Sequence, residues 1–246
     1  MIDWLRRSAF ERTPAAQPVV RLGDVTLPVV VRRNPRAKRM ILRLSSDGSD
    51  ICVTMPPWGR EAEAVAFARS RAGWLAAQLA SRPPPANPVD DRSINYRGSP
   101  VAVAWHSAQP RRPMLAADTL RIGGPEDTLL RRLHRWLESE AERLMTADVA
   151  DYCARAALPP AALRLSRAKR RWGSCAADGT IRINWRLVQA PDAVRRSVVA
   201  HEVAHLVHFD HSPAFHACLA QLYEGDLAAA DRWLKRDGRS LYRHFG

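Results

Sequence analysis

Between Ser197 and Phe215 the chain reads SVVAHEVAHLVHFDHSPAF. Two histidines four residues apart, His201 and His205, enclose a glutamate, Glu202. On a helix the two imidazoles project from one face, one turn apart. That placement suits a single Zn²⁺ at roughly 2.0–2.1 Å from each ring nitrogen while the backbone stays helical. Glu202 stands beside the first ligand position and points slightly aside, within reach of a water at the metal, as a general base must be. His211 follows beyond Phe209-Asp210, where the helix can end and the chain turn back. Three protein ligands with one open position describe a catalytic rather than a structural zinc.

H-E-x-x-H is short and also occurs in helices that bind nothing, so its surroundings decide. The motif lies in an apolar run (Val198, Val199, Val203, Ala204, Leu206, Val207), where unligated histidines and a glutamate would be buried polar groups in need of partners. Asp192 near the helix start suits the positive end of the helix dipole. His211 ranks first as third ligand, His216 second and Glu224 third. His208 shares the ligand face but lies about 10 Å along the helix from His201, too far to share the metal.

Upstream, Trp172-Gly173-Ser174-Cys175 carries a glycine that permits a close backbone approach. This segment and the strand after it are the candidate edge on which a substrate adds as an extra strand. Equally, Trp172 reads as core and Cys175 as a small buried hydrophobe, or as a thiolate holding the metal latent. His216, Tyr223, Trp172 and Ser174 are the candidate substrate or transition-state contacts, with Tyr223 or His216 as an oxyanion donor.

Several segments together carry a resemblance: NPRAKRMILRL (34–44), RRWGSC (170–175), GTIRINWRL (179–187), Ala190-Pro191 and VVAHEVAHLVHFDHSPAF (198–215). They resemble the YgjP-like metallopeptidase family, which is similar to the WLM and SprT groups of zincin-like proteins. The resemblance covers the chain from about Val29 to its C-terminus. It implies a peptidase in which His201, His205 and His211 bind zinc and Glu202 is catalytic. His216 stands where the family pattern has Trp.

The wider chain fits an enzyme that works without a membrane span. Its 246 residues, 46% hydrophobic and 26% charged, are enough for one large domain or two small ones. Four isolated cysteines (Cys52, Cys153, Cys175, Cys218) form no C-x-x-C pair, which argues against a disulfide scaffold and leaves a zinc ribbon unsupported. No stretch approaches the roughly 20 apolar residues that cross a bilayer, and Met1 to Phe10 carries Arg6-Arg7 but no apolar segment of signal-peptide length; the expected compartment is the cytoplasm. The net charge of +13 favours polyanions, with basic runs at Arg32, Arg33, Arg36, Lys38, Arg39 and at Arg164, Arg167, Lys169, Arg170, Arg171. Nucleic acid is therefore a second partner class beside a peptide or protein substrate. By analogy with WLM and SprT proteins, the alternative function is a protease acting on DNA-bound proteins. The other alternative is a non-catalytic binding module stabilised by a closed zinc site. Three-histidine sites also accept Mn²⁺, Ni²⁺ or Co²⁺.

The expected fold is α+β, an antiparallel β-rich half followed by a helical, zincin-like half. Residues 1–18 read as an arm and 19–246 as a single domain, β-rich to about 125 and helical from about 126. Strands are expected at Val19–Val31, Met40–Leu44, Asp50–Met55, Tyr96–Gly98, Val101–Trp105 and Thr119–Ile122; the resemblance implies that the later ones continue the first sheet. Met40–Leu44 and Asp50–Met55 form a hairpin around Asp47-Gly48. Arg60–Ser81 has helical spacing, RPPPANP (82–88) is a stiff connector, and no internal repeat is visible. Leu129–Ala157 is a long amphipathic helix carrying Leu130, Leu133, Leu137, Ala141, Leu144, Val149 and Tyr152, ended by Pro159-Pro160 and packed under the zinc helix. Leu163–Leu165 and Ile181–Trp185 are short strands, Pro191 and Asp210 bracket the zinc helix, and a last helix with a basic tail occupies Gly225–Phe245.

Overall fold

The computed structural model describes residues 17–45, 48–80 and 87–245, which group into two compact units, Met1–Ser81 and Arg82–Gly246. Most of the expected arm, Asp47 of the expected hairpin loop, and 82–86 of the proline-rich segment lie outside the described residues.

In the first unit, Val20 and Leu22 of β1 (Val19–Leu22) face inward while Val19 and Arg21 face out, the period-two pattern of a half-buried strand. A two-residue turn with Gly23 at φ +65° leads into β2 (Val25–Arg33). β3 (Ile41–Leu44) and β4 (Ile51–Met55) form the expected hairpin, Ile41 opposite Thr54 and Leu44 opposite Ile51. The sheet order is β1-β2-β4-β3, and β2 and β4 run parallel. The β-rich half is thus mixed rather than antiparallel, because the second hairpin docks through its second strand. Arg60–Ser81 is not one helix: α1 (Glu61–Ser70) ends at Arg71, φ −108° and ψ 17°, and α2 (Ala72–Ala80) starts anew. Past the break Leu75 is fully buried, while Trp74 stays 49% exposed.

The second unit begins by repeating that topology. β5 (Ser93–Tyr96), β6 (Ser99–Trp105), β7 (Met114–Ala116) and β8 (Thr119–Ile122) stand in the order β5-β6-β8-β7, with both hairpins antiparallel and β6 parallel to β8. These strands form their own sheet instead of continuing the first. Arg97 and Gly98 are the positive-φ turn between β5 and β6, not strand. The repeat escapes the sequence because hydrogen-bonding order carries it: Gly23-Asp24 and Arg97-Gly98 each close a two-residue turn, with unlike residues and unlike backbone, positive φ at Gly23 alone in one and at both residues in the other.

From β8 the chain passes into α3 (Leu129–Arg155), whose buried stripe is Leu129, Leu133, Leu137, Ala141, Met145, Val149 and Tyr152. Leu130, expected on that stripe, is 42% exposed; its neighbour Leu129 takes the inward position. A third sheet has the order β10-β11-β9, from β9 (Leu163–Ser166), β10 (Gly173–Cys175) and β11 (Ile181–Asn184). A 3-10 segment, Trp185–Gln189, then leads to α4 (Asp192–Val207), which packs against α3 as expected and also against β10 and β11. α5 (Pro213–Leu222), α6 (Leu227–Asp237) and a 3-10 turn, Gly238–Tyr242, complete the unit. Among the described residues no helix is long and apolar enough to cross a membrane.

Candidate metal centre

His201, Glu202 and His205 occupy the C-terminal half of α4, whose other face (Val199, Ala200, Val203, Ala204) is buried. The helix stops at His208, which has extended backbone at φ −132°. The chain then folds back until Ser212 caps α5, its hydroxyl accepting from the Phe215 amide at 3.4 Å with Pro213 in the first turn. This short return brings His211 over the α4 histidines.

One ring nitrogen from each of His201, His205 and His211 lies within 4.8 Å of the other two. The Nε2 atoms of His201 and His211 are 3.2 Å apart. Two ligands at 2.0–2.1 Å from a tetrahedral centre stand roughly 3.3–3.4 Å apart, so the spacing fits a shared ion. The Nδ1–H of His205 donates to the His208 carbonyl at 3.1 Å, which leaves Nε2 with the lone pair. Phe215, fully buried, forms the floor: its ring centroid is 5.0, 4.5 and 4.8 Å from those of His201, His205 and His211. Burial, reinforced by the neighbouring histidines, lowers the His201 pKa to about 4. The ring is therefore neutral near pH 7, as a metal ligand must be.

Glu202 is only 6% exposed. Burial raises its carboxyl to about 7, against opposing pulls from Arg171 and the Cys175 backbone amide. The side chain lies against Gly173 of β10. A Cβ at that position would sit 2.6 Å from Glu202 Cγ and 2.8 Å from Cδ, so the strand can approach only because residue 173 has none. Gly173 and Trp172 then wall a cleft of about 440 Å³ beside His201 and Glu202, closed opposite by His216, Leu219, Leu227 and Leu234. β10 is an edge of its sheet, as the sequence reading requires of a strand that takes an extended partner.

The other candidates separate. His216 lines the cleft, its ring centroid 6.4 Å from that of His211, and stays outside the three-nitrogen cluster. Tyr223 is not beside the histidines: its hydroxyl donates to the Ala193 carbonyl at 2.8 Å, two turns before His201. Ser174 is half-buried in β10 opposite Arg182. Cys175 also lies outside the cluster; its Sγ contacts the Ala176 carbonyl at 3.6 Å, and burial raises its thiol pKa.

Glu224, the third-ranked ligand, belongs to an ionic network at the other end of α4. It accepts from Arg196 at 2.6 Å, Arg155 at 2.9 Å and the Tyr152 hydroxyl at 2.8 Å. Arg195 and Asp148, 3% and 5% exposed, pair at 2.7 Å, and Arg196 joins Asp148 to Asp151. Asp192 is held by Arg97 and Arg195.

Sequence reasoning missed two supports of the centre. Phe215 was visible in the H-S-P-x-F segment but had no assigned role, and the His208 carbonyl has no side-chain signature. The contact between Gly173 and Glu202 was foreshadowed by a glycine flanked by Trp172 and Ser174, without its partner.

A family model described as YgjP-like, metallopeptidase domain, matches residues 38–237, about four-fifths of the chain. No curated protein and no solved structure matches it.

Proposed function

The chain belongs to the YgjP-like metallopeptidase family, and from that premise we propose that it is a zinc-dependent peptidase with His201, His205 and His211 as ligands and Glu202 as general base. The observation that carries the reading is the convergence of three imidazole nitrogens beside a buried carboxylate that forms no ion pair among the described residues. A divalent ion held there supplies Lewis acidity toward a peptide carbonyl and an attacking water. Zinc suits an all-imidazole donor set.

The chain's own groups do the rest. His205 is oriented by the His208 carbonyl and His201 by its packing on Phe215. Glu202 Oε takes a proton from the water and returns it to the leaving amine. Its raised pKa suits both halves of that task near neutral pH. A peptide substrate lies extended along the β10 edge, its backbone pairing with the strand and a side chain entering the cleft between Trp172 and Leu234. His216, on the cleft wall, is placed to donate to the developing oxyanion. The catalytic domain is read as one unit of sequence, residues 19–246, which the family match over 38–237 supports.

Glu202→Gln tests the reading. The variant should keep its metal and lose peptide hydrolysis by about 10²–10⁴-fold, the worth of a positioned general base. Unchanged hydrolysis in a metal-replete variant would overturn the assignment.

A further inference from the structure

Away from the metal centre, the second unit gathers four arginines that form no ion pair among the described residues. Arg111 and Arg112, in the loop before β7, and Arg132 and Arg135, on the first turns of α3, line one cleft of about 370 Å³. Trp136 forms part of its wall, and Glu140 is the carboxylate that lines it. Glu140 is already engaged, accepting from the Tyr96 hydroxyl at 2.7 Å and from Arg143 at 2.6 Å. None of the four arginines forms an ion pair among the described residues, whereas Arg97, Arg155, Arg195 and Arg196 each meet a carboxylate.

The cleft holds its cations in place. Arg132 donates to the Pro125 carbonyl at 2.8 Å, and its Nε is buried with no hydrogen-bond partner. Gly124, at φ +83°, makes room for the pair: a Cβ there would lie 2.9 Å from Arg111 Cγ and 3.3 Å from Arg132 Cζ. Burial, and less strongly the nearby Arg111 and Arg131 charges, push the Arg132 pKa down against the opposing pull of Asp127. The first unit has a groove of its own beside β3, α1 and α2 that also carries arginines and a tryptophan, Arg39, Arg71 and Trp74.

We propose that the Arg111–Arg112–Arg132–Arg135 cleft is a binding site for a phosphoryl group, either free phosphate or a small organic phosphate. Guanidinium forks match phosphate oxygens in bidentate pairs, and a dianion relieves the repulsion among the four. The volume suits a small ligand, and Trp136 offers an aromatic edge to any ring the phosphate carries.

The test is isothermal titration calorimetry of the full chain with orthophosphate and with adenosine monophosphate, at low salt. Arg112→Ala/Arg135→Ala alters two exposed side chains and should weaken binding at least tenfold. Arg32→Ala/Arg36→Ala removes the same charge elsewhere and should leave binding within twofold. Equal affinity for the two probes identifies the phosphoryl group as the whole ligand; tighter binding of the nucleotide identifies an added ring contact. Either result supports the site. No binding to the wild-type chain, or equal weakening in both double variants, would overturn it, the latter as diffuse attraction to a basic protein. Binding of an oligonucleotide but of neither small probe would also overturn it.

Discussion

The two ends of α4 treat carboxylates in opposite ways. At the N-terminal end, Arg195 and Arg196 meet Asp148, Asp151, Asp192 and Glu224, and the Glu224 carboxyl is held down to about 2 by Arg196, its own backbone and Tyr152, against the opposing effect of burial. At the C-terminal end, seven residues from Arg195, Glu202 is buried with no ion pair among the described residues, and burial raises it to about 7. One helix thus carries a saturated anchor and an unsaturated centre. Charges that find partners fix α4 against α3 and the chain after α5, and the groups left without them are the ones able to take a metal or a proton. The contrast also gives the purpose of Gly173, which brings β10 close enough to shield Glu202, with only the weaker pull of Arg171 opposing the effect of burial.

The largest effect should come from breaking the anchor. Asp148→Ala leaves Arg195, 3% exposed, with only the half-buried Asp192 as counter-charge, and loss of one member of a buried pair costs about 3 kcal/mol, the low end of the range because Asp192 remains. Urea unfolding should show that drop while zinc per folded chain stays unchanged. A loss below about 1 kcal/mol, or loss of metal from folded protein, would erase the division between the two ends.

A smaller change sharpens the division from the other side. Gly173→Ala puts a methyl against the Glu202 side chain, so the carboxyl or the strand must move. Hydrolysis should fall about tenfold or more, equivalent to about 1.4 kcal/mol of barrier, with metal retained. Full activity would mean that the close approach of β10 has no part in placing the base.

The smallest effect concerns acid. Glu224 has a folded-state pKa below its ordinary 4.5, so its stabilising contribution is present above pH 4.5 and is lost as pH falls toward about 2. Its side chain is 45% exposed, and solvent screening keeps the contribution modest. Glu224→Gln should flatten the fall in stability across that window, read by thermal melts at stepped pH. A profile as steep as the wild type would remove Glu224 from the anchor.

Local spacing made the centre legible. His201 and His205 share a face because they are four apart on a helix, and the apolar run around them announced that the helix is buried. α3 was legible for the same reason, down to Leu133, Leu137 and Ala141. What the sequence withheld depends on tertiary destination. Tyr223 looks like an oxyanion donor until its hydroxyl is found on Ala193, and Glu224 looks like a ligand until three donors are found around it. The order of the strands was equally hidden, since a hairpin can dock through either strand, and β2 with β4 and β6 with β8 chose the parallel pairing. The break at Arg71 lay inside an uninterrupted helical pattern with only Gly73 to mark it.

The measurement closest to the central claim is metal content by elemental mass spectrometry of the wild-type chain beside His211→Ala and His216→Ala. The three-histidine centre predicts about one zinc per chain in the wild type, retained in His216→Ala and lost in His211→Ala. Zinc lost from His216→Ala but kept by His211→Ala, or no metal bound by the wild type after incubation with zinc, would contradict it.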